Sequence, residues 1–443
     1  MKKIILILAS LLVLVLVLVW VFGRVPASKA AQKVSTFVPS SKAVQKVSTA
    51  DSPCISDSSS SSSYEAKLCI GAPASQAVLT GNSSITATVD VTGSNPGIQH
   101  VAFYLNGAML LEDFTAPYTF TLPVNQWVDG NYTLSAEALL RNQYTTKRAS
   151  ISLIFKSGTT QPPENTRQFR PTSGKPSAPG QPFVVGVAGD GAGGDPTEAD
   201  VVKLISSWNP NLFLYLGDVY ESGTTAEMFN WYGSSEFFGR FKAITDPTVG
   251  NHEYLTGNDS AYEYYWDNVP DYYSFNTAGW HFISLNSNSP RMPVSATSAE
   301  YKWLQADLAA DSSKCTAVFY HQPYLSIGKE GGRPALVDLW KLMAQYHVTL
   351  ILNGHDHEYQ RWVPLNGDGQ PSPTGITQLV TGSGGHSITP FVSSDSRVAV
   401  KYSDGKATYG AMRLVLNPAS ADFSFITFAG SVIDSGTIAC QGK

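Results

Sequence analysis

Hydrophobic positions change their spacing three times along this chain. After Met1-Lys2-Lys3, residues 4–22 form an uncharged run interrupted only by Ala9-Ser10. As a helix that run would reach about 28 Å, close to the hydrocarbon thickness of a bilayer. Residues 1–30 therefore read as an export segment. It is either an uncleaved membrane anchor or a signal peptide cut near Ser28-Lys29-Ala30. Basic residues flank both sides, so charge does not set its orientation. From residue 72 to 156 the period becomes two. Ile85, Ala87, Val89 and Val91 alternate with polar residues, as do Val101, Phe103 and Leu105, then Tyr118, Phe120 and Leu122. Tyr132, Leu134, Ala136 and Ala138 continue the pattern, followed by Ile151, Leu153 and Phe155. Asn106-Gly107 and Asp129-Gly130 supply hairpin turns between the runs, so this stretch predicts a β-sandwich.

In the third region, 183–443, short apolar runs alternate with helical spacing. Phe183–Ala188, Leu212–Gly217, Ala317–Tyr320 and Thr349–Leu352 predict buried strands, and Glu198–Trp208, Ser298–Ala310 and Pro334–Tyr346 predict helices. Alternation of the two kinds predicts an α/β domain, in which ligands gather beyond the carboxyl ends of strands. Between these regions lie two polar stretches. Residues 31–71 contain most of a repeat, Pro26–Thr36 and Pro39–Thr49, and the serine run Ser58–Ser63, and are expected to form a stalk. Residues 157–182 contain Pro162, Pro163, Pro171, Pro176 and Pro179 and predict an extended linker.

Composition narrows the partners. Thirty Lys+Arg against 35 Asp+Glu leave a formal charge of −5, so no general basic footprint for nucleic acid exists. Four cysteines fit an exported chain and permit three pairings; Cys54–Cys69 and Cys315–Cys440 is the expected one, the second tying the C-terminal tail to the strand before His321. The period-two segment resembles the immunoglobulin-like modules of bacterial surface proteins. It carries no catalytic cluster, which suits spacing or attachment to a cell-surface partner.

The chemistry lies at the predicted strand ends: Gly189-Asp190, Gly217-Asp218, Gly250-Asn251-His252-Glu253, His321 and Gly354-His355-Asp356-His357. Each block alone has an ordinary structural reading as a turn, a cap or a core histidine. Together they supply oxygen and imidazole donors of the kind that hold two metal ions bridged by a carboxylate. In an extended His355-Asp356-His357 the two imidazoles share one face and Asp356 points away. His281 and His347 read as structural, and His386, after Gly382-Ser383-Gly384-Gly385, can reach the rim of such a site.

This order of blocks resembles the calcineurin-like metallophosphoesterases, particularly the purple acid phosphatase branch and its bacterial relatives, over roughly residues 183–443. The resemblance implies two β-sheets flanked by helices. It implies one ion on Asp190, Asp218 and His357, and another on Asp218, Asn251, His321 and His355, with Asp218 bridging and His252 assisting the departing oxygen. Two positions depart from the family. Ala192 stands where many members outside the purple branch have histidine. The purple branch's tyrosine position, three after the second aspartate, is Glu221, with Tyr220 one residue earlier. Tyr220 is accordingly either a further ligand or a wall of the pocket with water completing the site.

The implied function is an exported hydrolase of phosphate esters. The resemblance points to an acid-phosphatase-like phosphomonoesterase with a metal-activated hydroxide and two ions of iron, manganese or zinc. The alternatives are a phosphodiesterase or nucleotide hydrolase of the same fold and, in a different class, a non-catalytic surface-binding protein. The expected location is the cell envelope or outside the cell, with a membrane contact through the N-terminal segment if it is uncleaved.

Overall fold

The computed structural model describes residues 53–58, 63–161 and 166–442. The expected export segment at 1–30, the repeat and most of the serine run lie outside the described residues. Among the described residues no helix is long and apolar enough to cross a membrane.

Among the described residues the first domain has nine strands: β1 Cys54–Asp57, β2 Tyr64–Ala72, β3 Ala77–Leu79, β4 Ser83–Gly93, β5 Ile98–Leu105, β6 Ala108–Asp113, β7 Tyr118–Leu122, β8 Gly130–Leu140 and β9 Ala149–Phe155. They form two sheets, in the orders β1-β2-β4-β7 and β3-β9-β8-β5-β6. Period two explains the packing. Along β9 every second residue, Ala149, Ile151, Leu153 and Phe155, is fully buried, and Phe103, Phe120 and Leu134 meet them in the core. One boundary changes. The stalk expected over 31–71 contributes β1 and β2, so the sandwich starts at Cys54, and Cys54 bonds Cys69 across that strand pair. The polar alternation of Lys67 and Cys69 with buried Ala66 and Leu68 is the period that the serine run obscured.

The second domain begins with β10 Phe183–Ala188, β11 Leu212–Tyr215, β12 Thr245–Pro247, β13 Tyr273–Thr277 and β14 Trp280–Ser284. It continues with β15 Cys315–Phe319, β16 Leu350–Asn353, β17 Tyr359–Trp362, β18 Thr377–Thr381 and β19 Val398–Tyr402, and closes with β20 Gly410–Asn417, β21 Ser420–Thr427 and β22 Val432–Ala439. A six-stranded sheet runs β12-β11-β10-β20-β21-β22 and a seven-stranded one β13-β14-β15-β16-β18-β17-β19. The central strands of both are parallel, β10 with β11 and β14 with β15, β16 and β18. Their near-continuous apolar runs follow from burial on both faces. Phe282, Ala317, Phe319, Leu350 and Leu352 pack with the first sheet, while Ile283, Val318 and Ile351 pack with Leu304, Leu308, Leu339 and Trp340 of the helices Ala299–Ala310 and Val337–Gln345. The expected helix at 198–208 spans Pro196–Ser207, entered through proline in its first turn. Cys315–Cys440 joins the start of β15 to the segment after β22, linking the two sheets.

The domains do not hang apart on the proline-rich segment. Ser157 and Gly158 still bond Asp129 of the sandwich, and further on the segment lies along the second domain, where Thr172 N and Ser173 N donate to Asp246 at 2.6 and 3.0 Å and the Phe169 ring meets Tyr273 edge-on. The sandwich itself touches the loop after β11. Thr224 Oγ1 donates to Leu110 O, and the Asn230 amide pairs with both backbone groups of Thr121, at 2.9 and 3.0 Å.

Candidate metal centre

The carboxyl ends of β10, β11, β15 and β16 lie side by side, and each is followed within a few residues by a polar side chain turned inward. Asp190, Asp218 and His355 all adopt left-handed backbone, with φ of 59°, 66° and 73°. Such conformations are uncommon outside glycine and collect at functional sites. Glycine precedes the donors for a steric reason that two positions show directly. A Cβ on Gly250 would lie 2.1 Å from Asp218 Oδ1, and one on Gly354 would lie 2.3 Å from Asp190 Oδ2.

The donor atoms converge. Asp218 Oδ2 lies 3.2 Å from His321 Nε2, which is also 3.0 Å from Asn251 Oδ1 and 3.1 Å from His355 Nδ1. Ligand atoms of Asp218, His321 and His355 all fall within 4.8 Å of one another, and all three residues are buried. On the other side, Tyr220 Oη sits 3.0 Å from Asp190 Oδ1, 3.2 Å from Asp218 Oδ2 and 2.9 Å from His357 Nε2. Asp218 is common to both groups.

Neighbouring residues fix these donors. His321 Nδ1 lies 2.8 Å from Leu216 O, which makes it the protonated nitrogen and turns Nε2 inward. His357 Nδ1 meets Ser387 Oγ at 2.5 Å. Asp190 Oδ2 accepts His355 N–H at 2.8 Å and Asp218 Oδ1 accepts His252 N–H at 2.9 Å. Glu253, quoted within its motif but given no role from sequence, accepts the backbone N–H groups of Asp218 and Gly250 at 3.2 and 2.9 Å. Burial first, and then the Asp218 charge, push its carboxyl up to about 8.

His252 stands at the edge, its side chain 24% exposed, with Nδ1 2.5 Å from Glu221 O and Nε2 3.9 Å from Asp218 Oδ2. His386 stands at the rim. Its ring stacks on Tyr220 at 4.0 Å, and its nitrogens lie 3.0 Å from Asp195 Oδ2 and 3.0 Å from Glu221 Oε1. His281 is structural, held between Asn276 and Asp307. The tyrosine-rich segment after His252 packs inward, with Tyr262, Tyr265 and Trp266 buried.

Whether these residues suit metal ions is a question of charge. Burial lowers the His321 pKa, but Asp218 and Asp190 raise it more, to about 10. Burial raises the Asp218 carboxyl, but the His321 and His252 rings outweigh it and hold that carboxyl far below its ordinary value. A single proton is thus gripped at a place where carboxylates, imidazoles and an amide oxygen converge, and a cation satisfies that donor set equally. The chemistry of the set fits two hard or borderline metal ions.

Two sheets whose parallel strand ends carry such a centre define the architecture of a metallophosphoesterase. Residues 183–359 match the calcineurin-like phosphoesterase family and residues 67–136 a bacterial Ig domain. The chain therefore carries a domain of each kind. Among relatives, purple acid phosphatase 21 of Arabidopsis thaliana is 33% identical over 121 residues, covering 26% of this chain and 27% of that protein. Purple acid phosphatase 15 of the same plant is 25% identical over 257 residues, covering 49% and 47%. The chain thus spans between about a quarter and a half of these relatives' lengths. A purple acid phosphatase structure from yellow lupin superposes with a TM-score of 0.51 at 15% identity, over 85% of this chain and 79% of that one, a likeness of fold.

Proposed function

We propose that this protein is an exported phosphomonoesterase of the acid-phosphatase type. One observation carries the reading: the donors from five separate chain segments meet in two groups that share Asp218. Asp190, Asp218, Tyr220 and His357 would hold one ion, and Asp218, Asn251, His321 and His355 the other. The three contacts of Tyr220 Oη, all to members of the first group, support a ligand over a pocket wall. Bound there, two ions of iron, manganese or zinc supply Lewis acidity toward phosphate oxygens and lower the pKa of water.

The rest is done by the chain. Leu216 O and Ser387 Oγ hold the His321 and His357 rings in orientation, so little reorganisation accompanies binding. His252, anchored through Nδ1 on Glu221 O with Nε2 toward Asp218, passes a proton to the departing alkoxide. The two disulfides suit an oxidising compartment, which supports export.

The test is metal analysis of purified protein together with rates on p-nitrophenyl phosphate and its bis ester. The expected result is about two ions per chain and a clear preference for the monoester. A metal-loaded protein inactive on both esters would overturn the reading.

A further inference from the structure

We infer that Arg333 is the phosphate clamp of this site, and that Asp356 positions it through the loop 326–333. The inference rests on the phosphomonoesterase reading and adds its substrate class, a terminal phosphate in the dianionic form.

The segment His355–Gln360 has two faces. Odd-numbered His355 and His357 turn to the metal centre. Even-numbered Asp356, Glu358 and Gln360 turn to the loop that follows His321. Asp356 Oδ1 accepts the N–H groups of Glu330 and Gly331 at 2.8 and 3.4 Å, and its Oδ2 accepts from Ser326 Oγ. Gln360 Oε1 accepts Ile327 N–H at 3.2 Å, and its Nε2 donates to Ser326 Oγ and Glu358 Oε1, both at 2.7 Å. At 328 a Cβ would lie 2.3 Å from both Asp356 Oδ1 and Glu358 Oε1, so any larger residue would displace these carboxylates. The loop is thereby locked onto the back of the motif whose front holds the centre.

That lock delivers Arg333. Its N–H bonds Pro323 O at 2.9 Å, and its Nη2 lies 3.0 Å from His355 Nε2. One imidazole ring separates the guanidinium from the donor atoms. Arg361 and Arg397 are each paired with a carboxylate, Asp434 and Asp395, whereas among the described residues no carboxylate oxygen lies within 4.0 Å of Arg333. The guanidinium is thus half-buried, stands beside an imidazole and is paired with no carboxylate among the described residues. Guanidinium can only donate, and when His355 uses Nδ1 toward the centre its Nε2 carries the proton, leaving two donors face to face. Arg333 then needs another acceptor, and a phosphate oxygen matches its planar fork. A monoester dianion offers more charge and one more free oxygen than a diester, so the clamp favours the monoester.

The test compares metal-loaded wild type with Arg333→Ala, Arg333→Lys and Asp356→Asn, measuring metal content, calorimetric Kd for inorganic phosphate, and KM and kcat on p-nitrophenyl phosphate and its bis ester. Arg333→Ala should keep both ions and weaken phosphate binding about 10- to 100-fold, the loss expected for charge-assisted hydrogen bonds. KM for the monoester should rise in parallel and that for the diester much less, with partial recovery in Arg333→Lys. Asp356→Asn should weaken phosphate binding in the wild type and add nothing in the Arg333→Ala background. Unchanged phosphate binding by a metal-replete Arg333→Ala variant of an active enzyme overturns the inference alone. A metal-loaded wild type that hydrolyses neither ester instead overturns the reading beneath it.

Discussion

Replacing Gly250 by alanine tests how tightly the Asp218 carboxylate, shared by the two donor groups, is held. The added methyl would sit 2.1 Å from Asp218 Oδ1 and 2.4 Å from Asp218 N, against ordinary contacts of 3.4–4 Å. Asp218 N is backbone, and Asp218 Oδ1, though it ends a short side chain, is held in place. The carboxylate is fixed by His252 N–H and Tyr220 Oη, and the Asp218 N–H by Glu253. Relief therefore requires the Asp218 group to retreat by roughly 1 Å, or the Gly250 backbone to leave Glu253, and a misplacement of that size costs about 100-fold in rate. Overpacking should also lower stability by about 1–3 kcal/mol. The assay is kcat/KM on p-nitrophenyl phosphate with metal content measured on the same sample. Gly81→Ala, whose Cβ would meet nothing within 4 Å, serves as control. A Gly250→Ala protein with wild-type metal and rate would refute the argument that Asp218 has no room to move.

Three further outcomes are expected. Tyr220→Phe should abolish the visible phenolate-to-iron band of iron-loaded protein while keeping the ring stacked on His386; a colourless wild type shown to hold ferric iron at this site would place Tyr220 outside the ligand set. His252→Ala should retain metal and slow esters with poor leaving groups more than p-nitrophenyl phosphate, whereas an emptied site would make His252 a ligand. Asp246, whose carboxyl burial pushes up to about 7 against the pull of the Thr172 and Ser173 N–H groups, should make stability pH-dependent. Its folded pKa exceeds the unfolded value of about 3.9, so its contribution is complete below that pH and is lost as pH rises through 7, by at most about 4 kcal/mol. In urea titrations, Asp246→Asn should gain on wild type between pH 5 and 8; a constant difference would contradict this.

The sandwich and the α/β domain were legible in the amino-acid sequence because each rests on short-range geometry, while the candidate donors were named from their places after apolar runs and from the family resemblance. A strand exposes every second residue to one face, so Ile151, Leu153 and Phe155 announce their burial without reference to anything distant. Parallel strands open at their carboxyl ends, so residues such as Asp190 and Asp218, placed just after apolar runs, are directed to one edge by the topology itself. The pairing of Cys315 with Cys440 is different, since it links ends 125 residues apart and was one of three possibilities until the sheets were placed. Tertiary structure alone decided that Tyr220, displaced by one residue, still brings its hydroxyl among Asp190, Asp218 and His357, because the path of a turned loop is set by what it packs against and not by residue count. It also decided that the polar stretch before residue 72 supplies two strands, that the sandwich seats Leu110 and Thr121 on the loop after β11, and that Arg333 faces His355. Those contacts join segments with no shared period, and only the packed chain brings them within hydrogen-bonding distance.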